Sequence, residues 1–284
     1  MKSPARALMF LTAIAVPALA FQAQGSFERT IPAGGSVELD LRTDSGGIVV
    51  TQGSGGSVHV RAILKAHRGN GVPHDVESRI REIERNPPIE QNGNRIRIGH
   101  FPQPHALRGI SMRLEVQTPA RTKLVANADS GGIRVDGLAG PVECATDSGG
   151  IEISRIGGDV RAHADSGGIR IDDVQGSVFA RADSGGIRAQ RIAGPVDVST
   201  DSGGIHVEQA KPGPIVARAD SGGADLRLAS NGGYDVNVSS ESGTVSVRDL
   251  VARGSLSRHR AEGKLRGGGP LVDVRVDSGH ISIE

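Results

Sequence analysis

The sequence predicts an all-β chain, a parallel β-solenoid (β-helix) with 18-residue coils and one short N-terminal helix. A tetrad repeat, a period-two apolar pattern and an unusual composition carry that prediction. The tetrad Asp-Ser-Gly-Gly begins at Asp44, Asp129, Asp147, Asp165, Asp183, Asp201 and Asp220; from Asp129 on, the intervals are 18, 18, 18, 18 and 19 residues. Degenerate copies, Glu241-Ser242-Gly243 and Asp277-Ser278-Gly279, lie 36 residues apart, which is twice the period. A fixed period of this length is the mark of a repeat architecture.

Ahead of each tetrad the residues alternate. Val142, Cys144 and Thr146 correspond to Val160, Ala162 and Ala164, to Val178, Ala180 and Ala182, to Val196, Val198 and Thr200, and to Ile215, Ala217 and Ala219. These positions face inward. Glu143, Arg161, Phe179, Asp197 and Val216 stand between them, and so do Ala145, His163, Arg181, Ser199 and Arg218, a mostly polar outward set. After the tetrad come Ile133/Val135, Ile151/Ile153, Ile169/Ile171, Ile187/Ala189 and Ile205/Val207, then a third apolar site at Leu138, Ile156, Val174, Ile192 and Ala210 beside a glycine-containing bend. An antiparallel meander of hairpins also fits an 18-residue unit. The solenoid is preferred, because stacked coils meet the same steric problem in every turn and so select the same residues.

Composition agrees. Aromatic residues make up 2% of the chain, tryptophan is absent, and 41 of 284 residues are glycine. The 37% hydrophobic content is mostly small and β-branched, which suits a long thin core and argues against disorder.

The glycines Gly131, Gly132, Gly149, Gly150, Gly167, Gly168, Gly185, Gly186, Gly203 and Gly204 are expected to be structural, since a sharp corner needs φ > 0. The tetrad Asp and Ser are expected to cap the corner by accepting local N–H bonds. The sharper alternative is a cation ladder along Asp129, Asp147, Asp165, Asp183, Asp201 and Asp220, because carboxylates one strand apart repel unless bonded or bridged. Capping is preferred, so no metal and no cofactor is expected.

The interval from Asp44 to Asp129 is too long for plain coils. An insertion at about 66–110 is expected there, with strands at 58–64, 95–98 and 112–116 in and around it. A helix is expected over Asp75–Arg85, with Val76, Ile80 and Ile83 on one stripe, Glu77 four before Arg81, and Asn86-Pro87-Pro88 as its stop; its simplest role is a cap or flank on the first coils. His67, His74, His100 and His105 lack metal-ligand spacing and are expected at the surface. The run from Arg248 to Pro270, with Arg253, Arg258, Arg260, Lys264 and Arg266, is expected to be an exposed basic loop at about 248–270.

Residues 1–20 read as a secretory signal peptide: Lys2 and Arg6, an apolar run, then Ala18 and Ala20 at the cleavage site. Residues 21–284 are expected to form one domain with no membrane-spanning segment. Without Lys2 and Arg6 the 33 basic residues become 31 against 32 acidic ones, which gives no electrostatic footprint for nucleic acid. Cys144 has no partner cysteine and stands at an inward position, as a small buried hydrophobe.

Together, the start Phe27-Glu28-Arg29-Thr30-Ile31-Pro32, the helical insertion, the serial Asp-Ser-Gly-Gly-Ile units and the ending Asp-Ser-Gly-His-Ile-Ser-Ile resemble the "putative adhesin" domain family of bacterial envelope proteins, a family of unknown function related to autotransporter adhesin head domains. The resemblance runs from about Phe27 to Glu284 and implies a β-helical fold and an envelope or extracellular location. It brings no catalytic residues.

The expected function is an exported, non-enzymatic binding or structural module of the cell envelope, periplasmic or at the cell surface, whose partner is an envelope or surface protein or a glycan. Two alternatives stay open. A polysaccharide-active β-helix enzyme would break the repeat with a distinctive carboxylate cluster, and a calcium-stabilised extracellular scaffold would use the Asp ladder.

Overall fold

The computed structural model describes residues 23–67, 74–102 and 106–284, with side chains omitted at 252–256. The expected signal peptide and His105 lie outside the described residues. The chain runs through β1 (Gln24–Pro32), β2 (Val37–Ser45), β3 (Ile48–Gln52), β4 (Ser57–Ala66), α1 (Val76–Arg85), β5 (Ile89–Asn92), β6 (Arg95–Ile98) and β7 (Ile110–Thr118). Strands then come two per coil: β8 (Thr122–Ser130) and β9 (Ile133–Asp136), β10 (Val142–Ser148) and β11 (Ile151–Ile156), β12 (Val160–Ser166) and β13 (Ile169–Val174). The next coils are β14 (Val178–Ser184) and β15 (Ile187–Ile192), β16 (Val196–Ser202) and β17 (Ile205–Gln209), β18 (Ile215–Ser221) and β19 (Ala224–Arg227). Last are β20 (Tyr234–Val247), β21 (Val251–Leu256), β22 (Arg260–Leu265) and β23 (Leu271–Ile283).

The pairing is that of a solenoid. Each first strand lies parallel to the first strand of the next coil, Val142 beside Val160, Val178 and Val196 in turn, and each second strand does the same, Ile151 beside Ile169, Ile187 and Ile205. A meander would have made them antiparallel. The inward residues stack into one continuous core in which Val160, Ala162 and Ala164 are 2% exposed or less, as is Cys144. Burying each Val or Ile contributes about 1.5–3 kcal/mol.

A third, short side closes each coil. After the second strand Arg155, Asp173 and Arg191 adopt φ of 53–54°, with Gly137 at 79° in the preceding coil, and this left-handed residue turns Leu138, Ile156, Val174 and Ile192 inward. Short backbone bonds such as Gly157 N–H to Leu138 O (2.8 Å) continue the ladder there. The expectation for Ala210 is overturned. It is exposed, and Gln209 takes the inward site opposite Ile192, because this coil omits the left-handed residue and regains length in the following bend. The buried Gln209 is satisfied: Nε2 donates to Gly213 O (3.1 Å) and Oε1 accepts from Tyr234 Oη–H (3.1 Å).

Both ends are built by intercalation. β2 and β3 form the first coil, with β8 and β9 on one side and β6 and β7 on the other. β4 and β1 continue outward antiparallel on β7, and α1 packs on β1 and β4, burying Val76, Ile80 and Ile83. The helix therefore covers the cap and not the coils themselves. At the other end β23 slots between β18/β19 and β20, so the corner at Asp277 is nearer to Asp220 than the one at Glu241 is. The basic run after Arg248 is not an open loop. It forms β21 and β22, which pair with each other and hold β22 antiparallel on β20, with Ala261 and Leu265 buried.

Candidate functional site: the acidic edge and the cleft at its end

Coil stacking brings the tetrads into one line. Ser45, Ser130, Ser148, Ser166, Ser184, Ser202, Ser221, Ser278 and Ser242 are successive register partners, so the acidic residue before each forms a row of nine rungs at about 4.8 Å. Asp129, Asp147, Asp165, Asp183, Asp201 and Asp220 are thus brought together as the sequence indicated. Asp129 is half-buried and the others are exposed.

The corner itself is held by backbone. Gly131 N–H donates to Ser148 O (2.9 Å), Gly149 N–H to Ser166 O (3.0 Å) and Ile151 N–H to Gly168 O (3.0 Å), and the pattern repeats along the rod. The two glycines are unequal. Gly149, Gly167 and Gly185 sit at φ 153°, and a Cβ on any of them would lie 2.0–2.4 Å from the carbonyl oxygen of the neighbouring coil, whereas Cβ atoms on Gly150, Gly168 and Gly186 would be 3.2–3.4 Å from theirs.

The first-glycine and following-isoleucine N–H groups go to the neighbouring coil and among the described residues no tetrad side chain takes up another, so capping by Asp and Ser is overturned. Among the described residues no tetrad carboxylate accepts a corner N–H. Its contacts are Asp165 with His163 Nε2 (3.0 Å) and Asp129 with Arg42 (4.0 Å). The hydroxyls that do serve the corner stand one residue before the Asp: Thr146 donates to Gly131 O (3.1 Å) and Thr200 to Gly185 O (2.9 Å). No cluster of three or more His, Cys, Asp or Glu suited to a metal ion occurs among the described residues.

At the N-terminal end the row runs into a cleft. β6 and β7 form a degenerate outermost coil, and where its tetrad would stand lie residues 99–102 and 106–107. These and Arg42, Asp44, Arg97 and Asp129 line a cleft of about 590 Å³, and an apolar recess of about 500 Å³ adjoins it against Ile83, Pro88 and Phe101. His100, expected at the surface, is instead held in a network. Arg97 donates to its Nδ1 (3.1 Å), which places the ring proton on Nε2, 3.1 Å from Asp40 Oδ1 though poorly aligned for a hydrogen bond. Arg97 also reaches Glu90 (2.9 Å). Burial and then the Asp44 charge raise the Asp129 carboxyl above its ordinary range, against the pull of Arg42. This cleft was hidden in the sequence, because its walls come from positions 42 to 129. Cys144 is inert, its thiol pushed far up by burial.

Fold and edge together define a parallel β-solenoid with a repeated acidic corner. Residues 36–284 match the Toastrack DUF4097 family, and the chain belongs to that family. Among curated proteins there is no match. Solved structures similar to the chain include a "putative adhesin" from Bacteroides fragilis, at 13% identity over 92% of this chain and 97% of that one, TM-score 0.32. Another "putative adhesin", from Parabacteroides distasonis, has 10% identity over 92% and 97%, TM-score 0.32, and a "putative cell adhesion protein" from Clostridium sporogenes has 11% over 92% and 98%, TM-score 0.26. No helix among the described residues is long and apolar enough to cross a membrane.

Proposed function

We propose that the protein is an exported, non-enzymatic binding module of the bacterial cell envelope, a rigid rod that meets a surface protein or glycan along its sides. One observation carries the reading. Nine acidic corners stand in register, mostly exposed, and the fold spends almost none of them on internal bonds. Like charges at strand spacing repel, so the row weakens the coil stack, and contacts outside the chain are what the row serves. The leader-like residues 1–20 support export.

The test is co-sedimentation of purified protein with washed envelopes, together with cell fractionation. Saturable binding that falls when Asp147, Asp165, Asp183 and Asp201 become Asn, with an unchanged circular dichroism spectrum, is the expected result. Protein in the cytosolic fraction that ignores envelopes would overturn it. The enzyme alternative gains one observation, the raised Asp129 carboxyl in a cleft where the repeat breaks. Cleavage of an acidic polysaccharide, lost in Asp129→Asn, would favour it.

A further inference from the structure

Outward rows on the second sheet run parallel to the acidic edge, one residue per coil. One begins at Arg134 and continues in register through Glu152, Arg170, Arg188, His206 and Asp225. Most arginines of this sheet are neutralised. Glu152 Oε2 accepts from Arg134 Nε (3.0 Å) and NH2 (2.6 Å), and Arg155, Arg191 and Arg227 pair with Asp136, Asp172 and Glu208. Arg170 and Arg188 are the exception. They lie directly opposite each other, both are exposed, and among the described residues neither is within ion-pair distance of a carboxylate. Like charges opposed in this way destabilise a sheet, and a pair kept without an internal counter-charge is a place for an external one. Burial and Arg188 also lower the pKa of His206, so the next rung adds a neutral donor and acceptor to the site, and the positive charge rests on the two arginines.

The same rungs bound a groove. The last glycines of the tetrads, Gly168, Gly186 and Gly204, leave bare backbone between the corner and the arginine row, and Arg170, Arg188 and His206, with Asp225 at the far end, line a groove of about 430 Å³ over that floor. A second stretch of about 520 Å³, floored by Gly47, Gly132 and Gly150, meets it at Arg170. The groove therefore runs lengthwise across successive coils.

We propose that this groove binds an extended acidic glycan, with its carboxylate or sulfate groups on Arg170 and Arg188 and its chain over the glycine floor. Two guanidinium forks on adjacent rungs match planar or tetrahedral oxyanions, and bare glycine backbone lets a polymer approach closely. A groove that crosses many coils fits a linear chain better than a single small anion. The lining holds no Phe, Tyr or Trp, which removes the stacking platform that single-stranded nucleic acid needs. The proposal deepens the binding-module reading and rests on it for its setting.

The test is calorimetric titration of the purified protein at low salt with polygalacturonate and with dextran sulfate, with neutral dextran and a thymidine 20-mer alongside. At least one acidic glycan binds, and Arg170→Gln/Arg188→Gln weakens it about tenfold or more, as two charge-assisted contacts require. Arg161→Gln/Arg181→Gln removes the same charge from the other sheet and leaves affinity within about twofold. Melting of the groove variant is unchanged or raised, since a like-charge pair is gone. The proposal is overturned if neither acidic glycan binds, if both double variants weaken binding equally, or if the oligonucleotide outcompetes the glycans. Loss of glycan binding with envelope binding intact would remove the groove and leave the module standing, and the opposite pattern would do the reverse.

Discussion

Replacing Gly167 by alanine tests how the corner is held. Gly167 sits at φ 153°, and a Cβ there would lie 2.0 Å from Gly149 O and 2.6 Å from that carbonyl carbon. The obstacle is backbone, so no side chain can swing away, and relief requires parting two coils where Gly149 N–H bonds Ser166 O at 3.0 Å. An orphaned buried backbone group costs about 1–3 kcal/mol, and a residue forced into a conformation reserved for glycine costs about 1–3 kcal/mol more. Alanine returns about 0.4–1 kcal/mol by restricting the unfolded chain. The net expectation is a loss of about 3 kcal/mol. Gly168→Ala is the matched control, because its Cβ would meet Gly186 O at 3.4 Å, an ordinary contact, and it should change stability by no more than about 1 kcal/mol. Urea unfolding of both variants followed by far-ultraviolet circular dichroism makes the comparison. Equal midpoints, or a worse Gly168→Ala, would refute the claim that coil-to-coil backbone contact, and not side-chain capping, defines this corner.

Three further outcomes are expected. Thermal midpoints in excess calcium and in excess chelator agree within about two degrees, and a fall of more than about ten degrees on chelation would establish a structural ion on the Asp row. Asp129→Asn stabilises at pH 7: the folded pKa is raised, so ionisation costs the native state above that pKa, and the gain fades as pH falls through the raised pKa and is gone below the ordinary carboxylate value of about 3.9; a gain constant from pH 3 to 8 would refute this. Ala162→Asp loses about 2 kcal/mol or more relative to His163→Ser, because the first puts an unpaired carboxylate in the core and the second alters an exposed position, and equal denaturation midpoints would show the register to be wrong.

The period, the inward register at Val160, Ala162 and Ala164, and the helix with Val76, Ile80 and Ile83 on its buried stripe were all legible, because each rests on local spacing and one recurring steric environment. Corner chemistry was not. A tetrad rich in Asp and Ser reads as a capping turn, but stacking commits the first-glycine and isoleucine N–H groups to the next coil, and the carboxylates point away from what remains of the corner. Gln209 was missed for a related reason: the 19-residue interval looks like one insertion, while the chain drops one residue at the left-handed bend and adds two in the next. Of the candidate site, the Asp row was visible and the cleft was not, since periodicity says which residues share a rung and nothing about which coil lies beside which.

That gap matters most at the ends. The 36-residue interval between Glu241 and Asp277 reads as two coils laid down in order, yet β23 enters the stack before β20 and leaves the latest part of the chain inside it. The N-terminal end does the same with β2 and β3. Each terminal coil is thus clamped between segments distant in sequence, and the outermost strands pair antiparallel, β1 on β4 and β21 on β22, which does not continue the parallel register of the coils. A parallel stack left open would offer its last coil as a template for another chain. With both ends turned antiparallel, the parallel register of the coils is not what the ends offer to another chain, and what the rod presents along its length is its sides: an acidic edge on one corner and an arginine-lined groove beside it.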